Sequence, residues 1–295
     1  MTPIAPKALL ARALANEDLN FLLTNRIPRI AATRCMGWFS QIRNPLVARP
    51  ALWLWRHFAD LNLEEAEKTR FDSVHDCFVR ALKPGMRPVD PDPAVLTSPC
   101  DAIVGECGVV EAGRAYQAKG FPYTLADLMM GGEAAQPWLH GTFVTLSITA
   151  SMYHRFHAPA DGRLVQVDAI SGDTWNVNPI ALKRVERLFC RNERALLHLR
   201  VGAQRWPVAL VPVAAVLVAS LRLHQPDLLL HGRYAGPRRI RCDVAFSKGQ
   251  ELGWFQHGST ILVFAPPGFT LAPGVAAGQR IRVGGALMRL PATPA

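Results

Sequence analysis

A chain of 295 residues with 49% hydrophobic and 19% charged residues can bury a large core, as one domain or as a domain with an appendage, and is too apolar to be disordered. Its longest apolar stretch, Val208 to Leu221, contains Pro212 and is too short to span a bilayer, and the N-terminus lacks the marks of a secretory signal. Of the net charge of +10, residues 1–56 carry +6 (eight basic side chains against Glu17 and Asp18), which implies an acidic partner, either anionic lipid or nucleic acid.

In chain order, residues 8–23 read as a helix of mixed quality. From Leu22 to Phe39, apolar side chains (Ile27, Ile30, Met36, Trp38) interleave with Arg26, Arg29 and Arg34. Pro28 belongs near a helix start, because it lacks the N–H needed further in. Past Asn44-Pro45, a second segment sets Leu52, Trp53, Leu54, Trp55 and Phe58 beside Arg49, Arg56 and His57. Such segments suit a membrane interface, where tryptophans sit at headgroup depth and arginines meet phosphates. They equally suit a helical hairpin packed on its own domain. Trp and Leu are too dense for a mere phosphate-binding face, so no nucleic acid is expected.

Leu61–Arg70 reads as a polar helix and Phe71–Leu82 as a short one. Lys83-Pro84-Gly85-Met86-Arg87-Pro88 is a turn-rich boundary. Beyond it come short runs rich in Val, Ile, Leu, Phe and Thr, separated by Gly, Pro, Asn and Asp. Ala102–Val104, Phe143–Ile148, Leu164–Val167, Ala195–Leu199 and Ile261–Phe264 are predicted strands. Val208–Leu221 is a buried strand pair or a core helix, and Thr124–Met130 a short helix. The predicted class is α+β, with a helical portion over 1–85 and a β-rich domain over 86–295. The six cysteines show no CxxC spacing and imply free thiols in a reducing compartment.

Three islands carry chemistry. They are Ser98-Pro99-Cys100-Asp101, then Tyr153-His154-Arg155-Phe156-His157-Ala158-Pro159, then Gly258-Ser259-Thr260. Singly each is weak. An Asp after Pro is usually a turn residue or cap, and Gly-Ser-Thr is a common turn tripeptide. His154 and His157 have HxxH spacing but no third ligand, so no metal is expected. Together they offer a nucleophile, a base and a carboxylate. Gly258 lets the backbone take a strained turn and bring its carbonyl carbon to the Ser259 hydroxyl. Attack there moves the acyl group from nitrogen to oxygen, and elimination of the ester leaves dehydroalanine, which hydrolyses to a pyruvoyl group and ammonia. Composition and spacing alone do not favour this route over an ordinary serine hydrolase, though the Gly-x-Ser-x-Gly elbow of hydrolases is missing.

The islands, with Arg87-Pro88-Val89-Asp90, Gly141-Thr142-Phe143-Val144-Thr145, Arg191-Asn192-Glu193-Arg194 and Lys248-Gly249-Gln250-Glu251-x-Gly253-x-Phe255, resemble bacterial phosphatidylserine decarboxylases along nearly the whole chain. The resemblance implies a self-cleaving proenzyme. Cleavage between Gly258 and Ser259 would give a β chain, 1–258, and an α chain, 259–295, headed by a pyruvoyl group made from Ser259. It also implies that Asp101 and His157 assist cleavage and that His154 serves decarboxylation. The amine of phosphatidylserine would condense with the pyruvoyl ketone, which accepts the electron pair as CO2 leaves, and phosphatidylethanolamine would follow. A homodimer held peripherally on the cytoplasmic side of the cell membrane, through an N-terminal portion that meets anionic lipid, completes the expectation.

Departures from the family pattern are also visible. His257 stands where Leu is usual, and Val211-Pro212-Val213 and Ala219-Ser220-Leu221 replace a glycine-bearing region near the pocket. The second departure motivates an alternative, a pyruvoyl enzyme for another serine-headed or amino-acid-like substrate. A non-processing membrane-binding relative is a third reading, opposed by the joint presence of Asp101, His154, His157 and Ser259.

Overall fold

The computed structural model describes residues 16–59, 61–118, 121–217, 220–231, 234–256 and 260–291. Three helices come first. Glu17–Asn25 is capped by Asn16, whose side chain accepts from the Leu19 N–H. Arg29–Ser40 starts directly after Pro28. Pro45–Phe58 is capped by Asn44, begins on a proline that needs no donor, and ends with Arg56 and His57 against its negative pole. Only the C-terminal part of the predicted helix at 8–23 lies within the described residues.

The helices are tethered to the β-rich part largely by polar contacts. Arg29 pairs with Asp173 at 2.6 Å and lies 3.8 Å over the Trp175 ring. The side chain of Asn25 accepts from the Asn176 N–H at 3.0 Å, and the Thr33 hydroxyl accepts from Leu217 N at 2.9 Å. Trp55 stacks on Phe78. The helices also leave large apolar groups in water: Leu46 is 85% exposed, Trp38 69% and Trp53 65%. Packing on the β-rich part and exposed apolar side chains therefore coexist.

After the helices the chain is built of antiparallel sheets, so the class is α+β, as the sequence pattern predicts. The largest sheet runs, in spatial order, Arg239–Phe246, Gly162–Ile170, Arg194–Val201, Trp206–Val213, Thr260–Ala265, Thr142–Ser147, Ala102–Val109 and Arg280–Ile281. A second sheet orders Leu228–His231, Ser220–Leu223, Glu251–Phe255 and Arg155–His157. Thr260–Ala265 pairs on both sides, with Thr260 opposite Ser147 and Val213. Its alternate side chains feed two cores. Ile261 and Val263 pack with Val144, Leu146 and Leu210, while Leu262 and Phe264 pack with Phe143, Leu196 and Val211. Burial on both faces explains why this strand reads as an unbroken apolar run.

Two predictions need correction. Leu61–Arg70 is not a helix. Its backbone bonds instead to residues 81–83, through Glu67 N to Ala81 O, Lys83 N to Glu65 O and a bridge between Ala66 and Leu82. The predicted helix Phe71–Leu82 shrinks to Val74–Phe78, because Ser73 caps it late and residues 81–83 bond across to residues 65–67. The Val208–Leu221 run resolves into two strands that lie in different sheets.

Candidate active site

A cleft of about 760 Å³ opens between the helices and the large sheet. Met36 and Trp55 from the helices, Phe78, Ile148, Leu182 and the stretch Ala215–Leu217 give it a mainly apolar lining. Among the described lining residues Lys183 is the one cation and Glu106 the one anion. Thr260 also lines it, at the start of the doubly paired central strand. Its hydroxyl is buried and has no hydrogen-bond partner among the described residues. Ser259, Gly258 and His257 lie outside the described residues.

His154 is fully buried and its ring centre is 3.8 Å from that of Phe78, a cleft-lining residue. Its carbonyl accepts from Phe255 N at 3.0 Å, which ties it to the end of the strand that leads into residue 257.

His157 sits on the short strand Arg155–His157, opposite Glu251. Its Nδ1 is 2.8 Å from the Gly249 carbonyl and its Nε2 is 3.0 Å from the Tyr153 hydroxyl. A carbonyl only accepts, so Nδ1 carries the proton; in the neutral ring Nε2 is then the acceptor and the tyrosine donates. Gly249 is in the left-handed region at φ 80, and a Cβ there would meet Val89 at 2.6 Å. Glycine is thus required to aim that carbonyl. Burial pushes His157 below the ordinary histidine value of 6.5, against the opposing pulls of the Gly249 carbonyl and of Glu251 and Asp101. The ring is therefore neutral at pH 7, as a base must be.

Asp101 immediately precedes the strand Ala102–Val109. Arg87 grips its carboxylate, Nε to Oδ1 at 2.8 Å and Nη2 to Oδ2 at 2.5 Å, and Val283 N donates to Oδ1 at 2.9 Å. Arg87 continues to Glu65 at 2.8 Å. His157 N donates to Pro99 O, two residues before Asp101, so the two side chains come from adjoining turns. No direct hydrogen bond joins them: Gly249 fixes the imidazole tautomer, and Asp101 acts on the ring through space. Arg87 and Tyr153 stand in the quoted motifs without being singled out there, and Lys183 carries no local signal at all.

The family model for phosphatidylserine decarboxylase matches residues 74–289. The chain is 40% identical over 290 residues to a phosphatidylserine decarboxylase proenzyme of Halorhodospira halophila, covering 95% of this chain and 94% of that one. It is 32% identical over 285 residues to the proenzyme of Chromobacterium violaceum, with 92% and 99% covered. It is also 32% identical over 256 residues to that of Myxococcus xanthus, with 85% and 91% covered.

Proposed function

Because this chain belongs to the phosphatidylserine decarboxylase family and is a carboxy-lyase of that kind, we propose that it switches itself on by cutting the Gly258–Ser259 bond and turning Ser259 into a pyruvoyl group. The observation that carries the proposal is the position of Thr260. It lines an apolar cleft while its buried hydroxyl stays unpartnered among the described residues, so a polar group made at position 259 has both an opening and a hydrogen-bonding neighbour.

In this reading neutral His157 is the base for the Ser259 hydroxyl, reached through or in place of Tyr153 O–H. Asp101 stabilises the imidazolium that forms, and Arg87 holds Asp101 in place. Once formed, the pyruvoyl group supplies the sink for the electron pair left when CO2 departs. His154, buried against Phe78, delivers the proton to that carbon. The apolar lining takes the acyl chains and Lys183 meets the lipid phosphate. Such a lining favours a diacyl lipid over free serine. The two fragments stay together because Thr260–Ala265 is hydrogen-bonded to a strand on each side.

The proposal extends to a homodimer lying peripherally on the cytoplasmic leaflet. No helix among the described residues is long and apolar enough to cross a membrane, and the exposed Trp38, Leu46 and Trp53 suit interfacial burial. The role assignment is tested by His157→Ala, which should stay uncut or cut slowly, against His154→Ala, which should cut yet decarboxylate poorly. The reverse pattern overturns it.

A further inference from the structure

The helix Pro45–Phe58 has a second working face. Trp55 points to the cleft, but Arg49, Trp53, Arg56 and His57 line a separate groove of about 960 Å³, closed on its other side by the chain around Arg70 and extended by Arg43. The groove and the cleft share no lining residue. Among the described lining residues four arginines meet one carboxylate, Asp72, a balance of four minus one, or +3. Among the described residues none of these four forms an ion pair, whereas Arg29, at the start of the preceding helix, is paired with Asp173. Like charges gathered without partners among the described residues repel, and an anion from outside would relieve that repulsion.

The surroundings identify that anion. Leu46 and Trp53, seven residues apart, share one row of the helix, and Arg49 and Arg56, also seven apart, stand on the row beside it. Leu46 and Trp53 are 85% and 65% exposed, and Trp53 stacks flat on His57 at 5.4 Å. A ligand that fits has a phosphate for the guanidinium groups and apolar chains for the adjoining row. A nucleic acid would leave that row in water.

We propose that this groove is a second, non-catalytic lipid site that binds the phosphate of an anionic phospholipid headgroup at the bilayer surface. The proposal rests on the membrane reading above and adds to it a discrete site. Occupied, the groove presses one face of the helix on the bilayer while Trp55 on the other face walls the cleft. Decarboxylation turns an anionic headgroup into a zwitterionic one, so the reaction itself lowers the charge that the groove reads.

The test is vesicle co-sedimentation of the processed protein, with phosphatidylcholine vesicles containing or lacking phosphatidylglycerol, which is not a substrate. Arg49→Gln/Arg70→Gln is compared with Arg26→Gln/Arg34→Gln, which removes the same charge from the same portion of the chain outside the groove. Variants that still yield both fragments are scored; Arg43→Gln/Arg56→Gln replaces the first pair if it does not fold. At about fivefold per arginine, the groove pair should weaken binding to the anionic vesicles by about twenty-five-fold, and at least tenfold more than the control pair. Equal losses in the two pairs, or no loss in either, overturn the groove while leaving general membrane binding intact. Wild-type protein that binds neither vesicle, or both equally, overturns the membrane reading as well.

Discussion

Arg87→Met removes the guanidinium that grips Asp101. The arginine side chain is 10% exposed and the aspartate 11%, so the pair is nearly out of water. After the substitution the carboxylate keeps, among the described residues, only the Val283 N–H. Breaking a buried pair from one side costs about 3–5 kcal/mol, because the remaining charge is left uncompensated. Glu65 adds at most ~1 kcal/mol, since it is 32% exposed and keeps Arg282 at 3.2 Å. A loss of about 4 kcal/mol is therefore expected. Asp101→Asn should cost less, on the order of 1–2 kcal/mol, because Arg87 retains Glu65 and an amide oxygen. Replacing both partners, as Arg87→Met/Asp101→Leu, should recover most of the loss, since no charge is then stranded. The assay is urea unfolding in a Ser259→Ala background, which keeps every variant uncut, with midpoints compared at constant slope. A loss below ~1 kcal/mol for Arg87→Met, or a double variant no more stable than the single one, refutes the electrostatic account. With Ser259 restored, the double variant should fold and stay uncut; normal cleavage would show that Asp101 assists nothing.

Three further predictions follow from the same geometry. Because burial lowers His157 beneath 6.5, the self-cleavage rate should hold as pH falls through 6.5 and drop only at the depressed value; a midpoint at or above 6.5 rules out His157 as the buried base. Burial raises Glu193 from 4.5 to about 7, so its folded form is neutral where the unfolded chain is ionised; the stability it contributes is present below pH 4.5 and lost as pH rises to about 7. Glu193→Gln should remove a decline on the order of 2 kcal/mol across that window, and an unchanged pH–stability curve would contradict it. Lys183→Ala should raise KM for phosphatidylserine about fivefold, roughly 1 kcal/mol, with kcat little changed; a fall in kcat at constant KM would take Lys183 away from the headgroup.

Much of the architecture is legible in the sequence because the signals are local. Short runs of Val, Ile, Leu, Phe and Thr between turn residues mark the strands. Asn44-Pro45 and Pro28 mark two helix starts, and the doubly buried strand after Thr260 appears as a continuous apolar run. The segment Leu61–Arg70 misleads because its charges look like a solvated helix face, while Glu65 is turned toward Arg87 and Arg282 and the backbone bonds across to residues 81–83. Pattern cannot register pairings set by such long-range contacts. The site is legible in its residue types and not in its wiring. Asp101 and His157 stand out as a carboxylate and a base, yet the tautomer is fixed by Gly249, some 90 positions further on, and the aspartate is held by an arginine from the turn before it. Lys183 becomes visible only when the helix Pro179–Leu182 brings it to the cleft.

The intact mass of purified wild-type protein, read beside Ser259→Ala, tests the central claim most directly. The account predicts two fragments, 1–258 and 259–295, the smaller one with a blocked N-terminus that gains two hydrogens on borohydride treatment, and a single chain for Ser259→Ala. An uncut wild-type chain, or a smaller fragment that begins with an unmodified serine, would contradict it.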